Sequence, residues 1–356
     1  MTSLENLPLR SDLKGQQPYG APQLNVPVQL NVNENTYGIP EVVALDIIQE
    51  VAAEVIGLNR YPDREFLELR DQFAKYLGFG LTQEQIWAAN GSNEILTQIF
   101  QAFGGPGRTA LSFGPTYSMY PNISRLTLTD YLEVGRESGF SLSPRYVADA
   151  ISKHKPDLVL LCNPNNPTGT SIENEVIIAA YEAFDGILIV DEAYAEFNDS
   201  QSALALLSGR PRLLVSRTMS KAFAFAGARV GYLAADAAVV DALRIVRLPY
   251  HLSALTQAAA RAALRHAPRM LANVEQIKSQ RDRIISQVEL LGLQAYSSAA
   301  NFVLVSGFED PQRAFEQLLE KGVLIRNVGI PGTLRITAGT EAETTKLLAE
   351  LALIVD

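Results

Sequence analysis

Gly186-Ile187-Leu188-Ile189-Val190-Asp191-Glu192-Ala193-Tyr194 is a short apolar run closed by two acids. Such a run, with no alternation of polar residues, fits a parallel strand covered on both faces. A carboxylate ending a buried strand is costly unless it meets a cation or strong donors. Asp191 therefore either closes a structural ion pair or faces a cationic ligand. This stretch alone leaves both open.

Working outward, residues 157–162, 213–216 and 230–233 are further apolar runs, and 86–89 and 109–113 read as strands before them. Helices over 94–103 and near 117–123 alternate with these strands, the pattern of an α/β fold. Upstream, Val43, Ile47, Ile48, Val51 and Val55 repeat at helical spacing within 40–57, and a second helix covers 65–77. The first thirty-odd residues, rich in Pro, Gly, Gln and Asn, read as an extended arm. Beyond Pro249 the pattern turns helical, with a long stretch over 270–291. Strands near 301–305 and 334–337 then suggest a smaller α+β domain. The expected division is an arm and start of the small domain over 1–35, a large ligand-binding domain over 36–255, and a C-terminal small domain over 256–356.

Composition narrows the function. The chain has 356 residues, 47% hydrophobic and 19% charged, with a net charge of -9. These are values of an ordinary globular protein. Without a basic run or basic, aromatic-studded segment, nucleic acid and anionic membranes are poor partners. Cys162 is the only cysteine, so no intrachain disulfide forms, and the three histidines are too scattered for a metal motif. No signal-like or membrane-spanning stretch is evident, and the expected location is the cytoplasm.

Three further motifs follow strands, where open parallel sheets place ligands. In Asn90-Gly91-Ser92-Asn93-Glu94 the glycine allows close approach, and the next helix offers free N–H groups to a phosphate. A plain helix cap explains Ser92 or Asn93 equally. Cys162-Asn163-Pro164-Asn165-Asn166-Pro167-Thr168-Gly169 makes a rigid loop whose amides can meet a bound oxygen, or simply a turn. Last comes Arg217-Thr218-Met219-Ser220-Lys221-Ala222-Phe223-Ala224-Phe225-Ala226-Gly227-Ala228-Arg229. A lysine at a buried strand's end is poorly hydrated, which favours the neutral amine that attacks an aldehyde. Thr218, Ser220 and Arg229 would supply donors for a nearby phosphate. Amine and phosphate cradle together suit pyridoxal 5′-phosphate (PLP), with Asp191 on its pyridinium and Tyr194 near its phenolic oxygen.

In this order the motifs resemble the fold-type I PLP-dependent aminotransferases, and among them the histidinol-phosphate aminotransferase family. The likeness extends to Leu30-Asn31-Val32-Asn33-Glu34-Asn35, Arg60-Tyr61-Pro62-Asp63, Pro115-Thr116-Tyr117-Ser118-Met119-Tyr120, Ala300-Asn301-Phe302-Val303 and Leu334-Arg335-Ile336-Thr337. It implies an α/β fold with a large, mostly parallel sheet flanked by helices and a smaller α+β domain. It also implies roles. Lys221 would bind the cofactor covalently and carry the proton, Asp191 would pair with the ring nitrogen, and Asn166 and Tyr194 would bind the ring oxygen. Tyr117 would stack on the ring. Ser92, Asn93, Thr218, Ser220 and Arg229 would hold the phosphate, and Tyr61 would reach the neighbouring site of a homodimer. Arg335 would bind the substrate's anionic group, aided by Arg326 and Tyr19, although Arg326 also reads as a solvated charge. Thr36 departs from the family's usual proline, which would loosen the arm.

The implied reaction converts histidinol phosphate and 2-oxoglutarate to imidazole acetol phosphate and glutamate, a step of L-histidine biosynthesis. Rivals within the enzyme class are an aromatic amino acid aminotransferase acting on phenylalanine and a decarboxylase of a phosphorylated amino acid. A catalytically silent PLP-binding regulator would be expected to carry a basic DNA-binding segment before the arm, and none is seen.

Overall fold

The architecture comes from a computed structural model describing residues 6–18 and 20–355. Tyr19 lies outside the described residues. After an irregular arm come β1 (Val28–Gln29), α1 (Glu41–Val55) and α2 (Leu67–Leu77). The alternating part follows: β2 (Ile86–Ala89), α3 (Ser92–Phe103), β3 (Thr109–Gly114), α4 (Met119–Leu126) and β4 (Asp130–Gly135). It continues through α5 (Pro144–His154), β5 (Leu158–Cys162), α6 (Asn174–Glu182), β6 (Ile187–Asp191), β7 (Leu213–Thr218) and β8 (Gly231–Ala234). Helices α7 (Ala237–Val246), α8 (Ala254–Arg265), α9 (Ala267–Met270) and α10 (Val274–Leu290) lead to the last part. That part holds β9 (Gln294–Ala295), β10 (Phe302–Ser306), α11 (Pro311–Glu320), β11 (Val323–Leu324), β12 (Thr333–Thr337) and α12 (Glu341–Val355).

The large sheet has the order β2-β8-β7-β6-β5-β3-β4. Strands β7, β6, β5, β3 and β4 are mutually parallel, whereas β8 runs antiparallel to both β2 and β7. Strands β5, β6 and β7 are buried along almost their whole length, which is why they read as unbroken apolar runs. Their C-terminal ends lie side by side, so Cys162 is level with Asp191, and Asp191 with Ser216. On β6 this puts Asp191 at the last rung of the ladder, where the sheet opens to ligands.

A second core forms around β12-β10-β9 and the parallel pair β1–β11. Val28 and Leu30 of the arm belong to it, together with Val274, Phe302, Ile336 and Leu351. Helix α8 packs instead on α1 and α2, and its Ala260, Ala263 and Leu264 join the larger core. The arm is tied rather than loose at Thr36. Its hydroxyl donates to Glu343, a carboxylate that also accepts from the Thr340 amide and hydroxyl. No helix among the described residues is long and apolar enough to cross a membrane.

Candidate active site

A cavity of about 330 Å³ opens at the C-terminal ends of the parallel strands. Its walls include Ser92, Tyr117, Asn166, Asp191, Tyr194, Thr218, Ser220, Lys221, Arg229, Arg326 and Arg335. Residues from four separate sequence motifs and from the second core thus converge on one space.

At its floor, Asp191 is 2% exposed. Its Oδ2 accepts from the Tyr120 hydroxyl at 3.0 Å, while Oδ1 is buried with no hydrogen-bond partner among the described residues. Burial pushes the carboxyl up to about 6, against the pull of Tyr120 and the Ala193 N–H. A buried acceptor with nothing to accept from is expensive in a finished core, so Oδ1 suits a ligand's N–H. The ion-pair reading fits the next residue better. Glu192 takes Arg217 Nη2 at 2.7 Å, together with the Ser202 hydroxyl and the Ala203 N–H.

Lys221 sits across the cavity. Its Nζ donates to the Val32 carbonyl at 2.9 Å and lies 6.0 Å from the Tyr194 ring centre. Burial, then the positive charge of Arg335, brings the amine down to about 8. A substantial neutral fraction near neutrality is what a nucleophilic lysine needs.

The corner between α3 and β8 is built for close approach. Gly91 is the N-cap of α3 at φ +88°, and a Cβ there would meet the Arg229 guanidinium at 2.6 Å. A Cβ on Gly231 would come within 2.3 Å of the Gly91 and Ser92 backbone. Neither Ser92 nor Asn93 caps the helix. Asn93 Oδ1 instead accepts from the Tyr117 hydroxyl at 3.1 Å. Thr218 Oγ1 lies 3.0 Å from Ser220 Oγ, and Arg229 Nη1 donates to the Ala226 carbonyl at 3.1 Å. Free helix N–H groups, two hydroxyls and a guanidinium tied back by one nitrogen to its own turn make an anion cradle.

Asn165 and Asn166 divide the loop's work. The Asn165 amide is spent on Thr116, Pro115 and Thr168, holding the turn. Asn166 faces the cavity, donating to Tyr194 Oη at 3.3 Å and accepting from Arg335 Nη1 at 2.7 Å. Arg335 Nη2 also donates to the Asn31 carbonyl at 2.7 Å. Arg326 and Arg335 pair through their backbones at 2.8 and 3.1 Å, which sets the two guanidinium side chains on the same wall.

Tyr61 does not line this cavity. It is 79% exposed and stacks on Tyr250 with ring centres 4.4 Å apart. Three contributors escape a reading by motif: Tyr120 on Asp191, the Val32 carbonyl on Lys221, and Asn33. Asn33 is fully buried at φ 57°, donates to Tyr194 Oη at 3.0 Å, and exchanges hydrogen bonds with Thr337. A buried asparagine in the left-handed region is a rare, paid-for conformation, and Asn tolerates it better than most residues. Its place in an Asn-rich arm is the only sequence cue.

Residues 26–351 match the family model for aminotransferase class I and II. The chain belongs to that family. Among its members, the histidinol-phosphate aminotransferase of Paenarthrobacter aurescens is 56% identical over 358 residues, 99% of this chain and 96% of that one. The histidinol-phosphate aminotransferase of Frankia casuarinae is 54% identical, covering 98% and 90%. The crystal structure of histidinol-phosphate aminotransferase from Sinorhizobium meliloti in complex with pyridoxal-5′-phosphate superposes with a TM-score of 0.84. It is 26% identical and covers 93% of this chain and 91% of that one. This class I and II aminotransferase therefore shares the fold-type I architecture, with both its cores included in the match.

Proposed function

We propose that this aminotransferase uses PLP to move an amino group from histidinol phosphate to 2-oxoglutarate, giving imidazole acetol phosphate and glutamate in L-histidine biosynthesis. The cavity fits the cofactor on four counts. Asp191 Oδ1 awaits a donor, and Lys221 is a poorly hydrated amine. The Gly91–Arg229 corner awaits an anion, and Tyr117 offers a ring face. When bound, the cofactor supplies an aldehyde for amines and a ring that accepts electrons.

The chain's own residues do the rest. Asp191 holds the ring nitrogen's proton, keeping the electron sink charged. Asn166 and Tyr194 donate to the ring oxygen, and Ser92, Asn93, Thr218, Ser220 and Arg229 anchor the phosphate. Lys221 Nζ would take the proton from the substrate's Cα and deliver it to the cofactor's C4′ carbon within the same half-reaction, carrying it the other way in the second. The Val32 carbonyl steadies the ammonium form in between.

One observation carries the choice of substrate: two arginines share a wall of the cavity. A phosphate monoester brings nearly two charges and fits Arg335 with Arg326, whereas one carboxylate needs only one fork. Glutamate uses the same pair in the return half-reaction. Comparing kcat/KM for histidinol phosphate and phenylalanine tests this, with a ratio above about a hundredfold expected. Preference for phenylalanine would make the chain an aromatic amino acid aminotransferase with the same mechanism.

The working unit is proposed to be a homodimer in the cytoplasm. Leu45, Ile48, Ile56, Tyr61, Ile245 and Leu248 are all more than half exposed, an apolar load that a second copy would cover. Tyr61 would then reach the partner's site. Mixing Lys221→Ala and Tyr61→Ala chains should restore activity that neither has alone, because one site of each mixed dimer is intact. Additive, undiminished inactivity would remove Tyr61 from the partner's site.

A further inference from the structure

Tyr120 is fully buried on the first turn of α4 and takes no part in the cavity wall. A core position asks for a ring, and a phenylalanine would fill it. The hydroxyl instead sits between two groups at the strand ends. It donates to Asp191 Oδ2 at 3.0 Å, and the Cys162 thiol is beside it. Cys162 in turn donates to the Pro164 carbonyl at 3.4 Å. The ring edge of Tyr120 also supports the Tyr117 ring, with centres 5.5 Å apart at 89°.

A carboxylate on a single torsion beyond Cβ can rotate, and among the described residues Tyr120 is the side chain that donates to Asp191 Oδ2, beside the backbone N–H of Ala193. We infer that Tyr120 is a positioning residue for the electron sink: its hydroxyl pins Oδ2 and so keeps Oδ1 turned toward the cofactor's ring nitrogen. The inference rests on the PLP reading above and goes beyond it, because Tyr120 touches neither cofactor nor substrate. Its bond stabilises the ionised carboxylate. Without it the acid becomes more basic, and the proton shared with the ring nitrogen shifts toward oxygen. Of the other groups facing Asp191, the Ala193 N–H is fixed by the main chain and already contributes, and no side chain can replace the donor. Cys162 is committed to Pro164, Glu192 is a like charge that points to the opposite face, and the Tyr194 hydroxyl is held by Asn33 and Asn166.

The test is Tyr120→Phe, which keeps the ring and its packing on Tyr117. Holoenzyme loaded with PLP labelled with ¹⁵N in the ring reports the nitrogen's protonation directly. The variant should move the ¹⁵N signal toward the unprotonated position and lower kcat about tenfold with KM unchanged, the size of one hydrogen bond to a charged group. In an Asp191→Asn background the same substitution should change neither quantity, since no carboxylate remains to be pinned. An unmoved ¹⁵N signal would overturn the inference, and so would an equal loss in both backgrounds, which marks a merely structural effect. If wild-type protein fails to bind PLP at Lys221, the cofactor reading falls instead, a result separate from either.

Discussion

The two faces of the β6 and β7 ends carry the same kinds of residue in opposite condition. On one face, Asp191 keeps an oxygen without a partner, and Thr218 and Ser220 border an anion cradle. On the other, Glu192 is saturated by Arg217, Ser202 and the Ala203 amide, and Glu196 sits 3.7 Å from the same arginine. One residue along a strand reverses its direction, so neighbouring acids meet different worlds. Unmet hydrogen-bonding capacity marks the face reserved for a ligand, and complete pairing marks the face that holds the sheet together.

Substitutions should split along that line. Asp191→Ala is expected to lower turnover about thousandfold or more, the cost of a buried cation left without its carboxylate. The apoprotein should not suffer. Because burial raises the folded Asp191 pKa to about 6, above its unfolded value, the acid's contribution to stability is lost as pH rises through 6. At pH 7–8 the Asp191→Ala apoprotein should therefore melt at or above the wild-type temperature by calorimetry. Only a few-fold loss of turnover would break the contrast from the catalytic side.

Glu192→Ala should do the reverse. It strands Arg217, whose side chain is only 11% exposed, at a cost of about 3–5 kcal/mol in denaturant unfolding, less whatever Glu196 recovers. Turnover of the protein that remains folded should fall far less than in the Asp191 variant. A stable but inactive Glu192→Ala protein would erase the distinction between the faces.

The smallest effect sharpens the picture of the ligand face. With the Lys221 amine at about 8, its neutral fraction rises about tenfold between pH 7 and 9 and then levels off. Cofactor capture by the apoprotein, followed by absorbance in stopped flow, should trace that curve. An amine at the ordinary lysine value would still be gaining steeply at pH 10.

Much of this was legible in the sequence, for reasons that also explain what was not. Strands β5, β6 and β7 announce themselves because both their faces are covered, leaving apolar runs that end on chemistry. Strand β4 lies at the sheet's edge, half exposed, and its Asp130 and Glu133 break such a run. The antiparallel course of β8 is set by the short excursion from Thr218 to Gly231, and direction leaves no trace in a four-residue strand. At the site, side chains that carry chemistry stand out by type at strand ends. The Val32 carbonyl has no type to read, and Tyr120 looks like any core aromatic until its hydroxyl is located. Tyr61 is exposed and stacked on Tyr250, away from the cavity.

Asn33 has one more consequence, for how the cavity and the second core are joined. It is clamped between Tyr194 and Thr337, with Asn301 donating to its carbonyl, while the neighbouring Val32 meets the Lys221 amine. Those contacts span more than 300 positions of chain, from residue 33 to residue 337. A chain that has completed the entire large sheet still lacks the part of this clamp that Asn301 and Thr337 supply. The seat of the Val32 carbonyl beside Lys221 is thereby coupled to the second core.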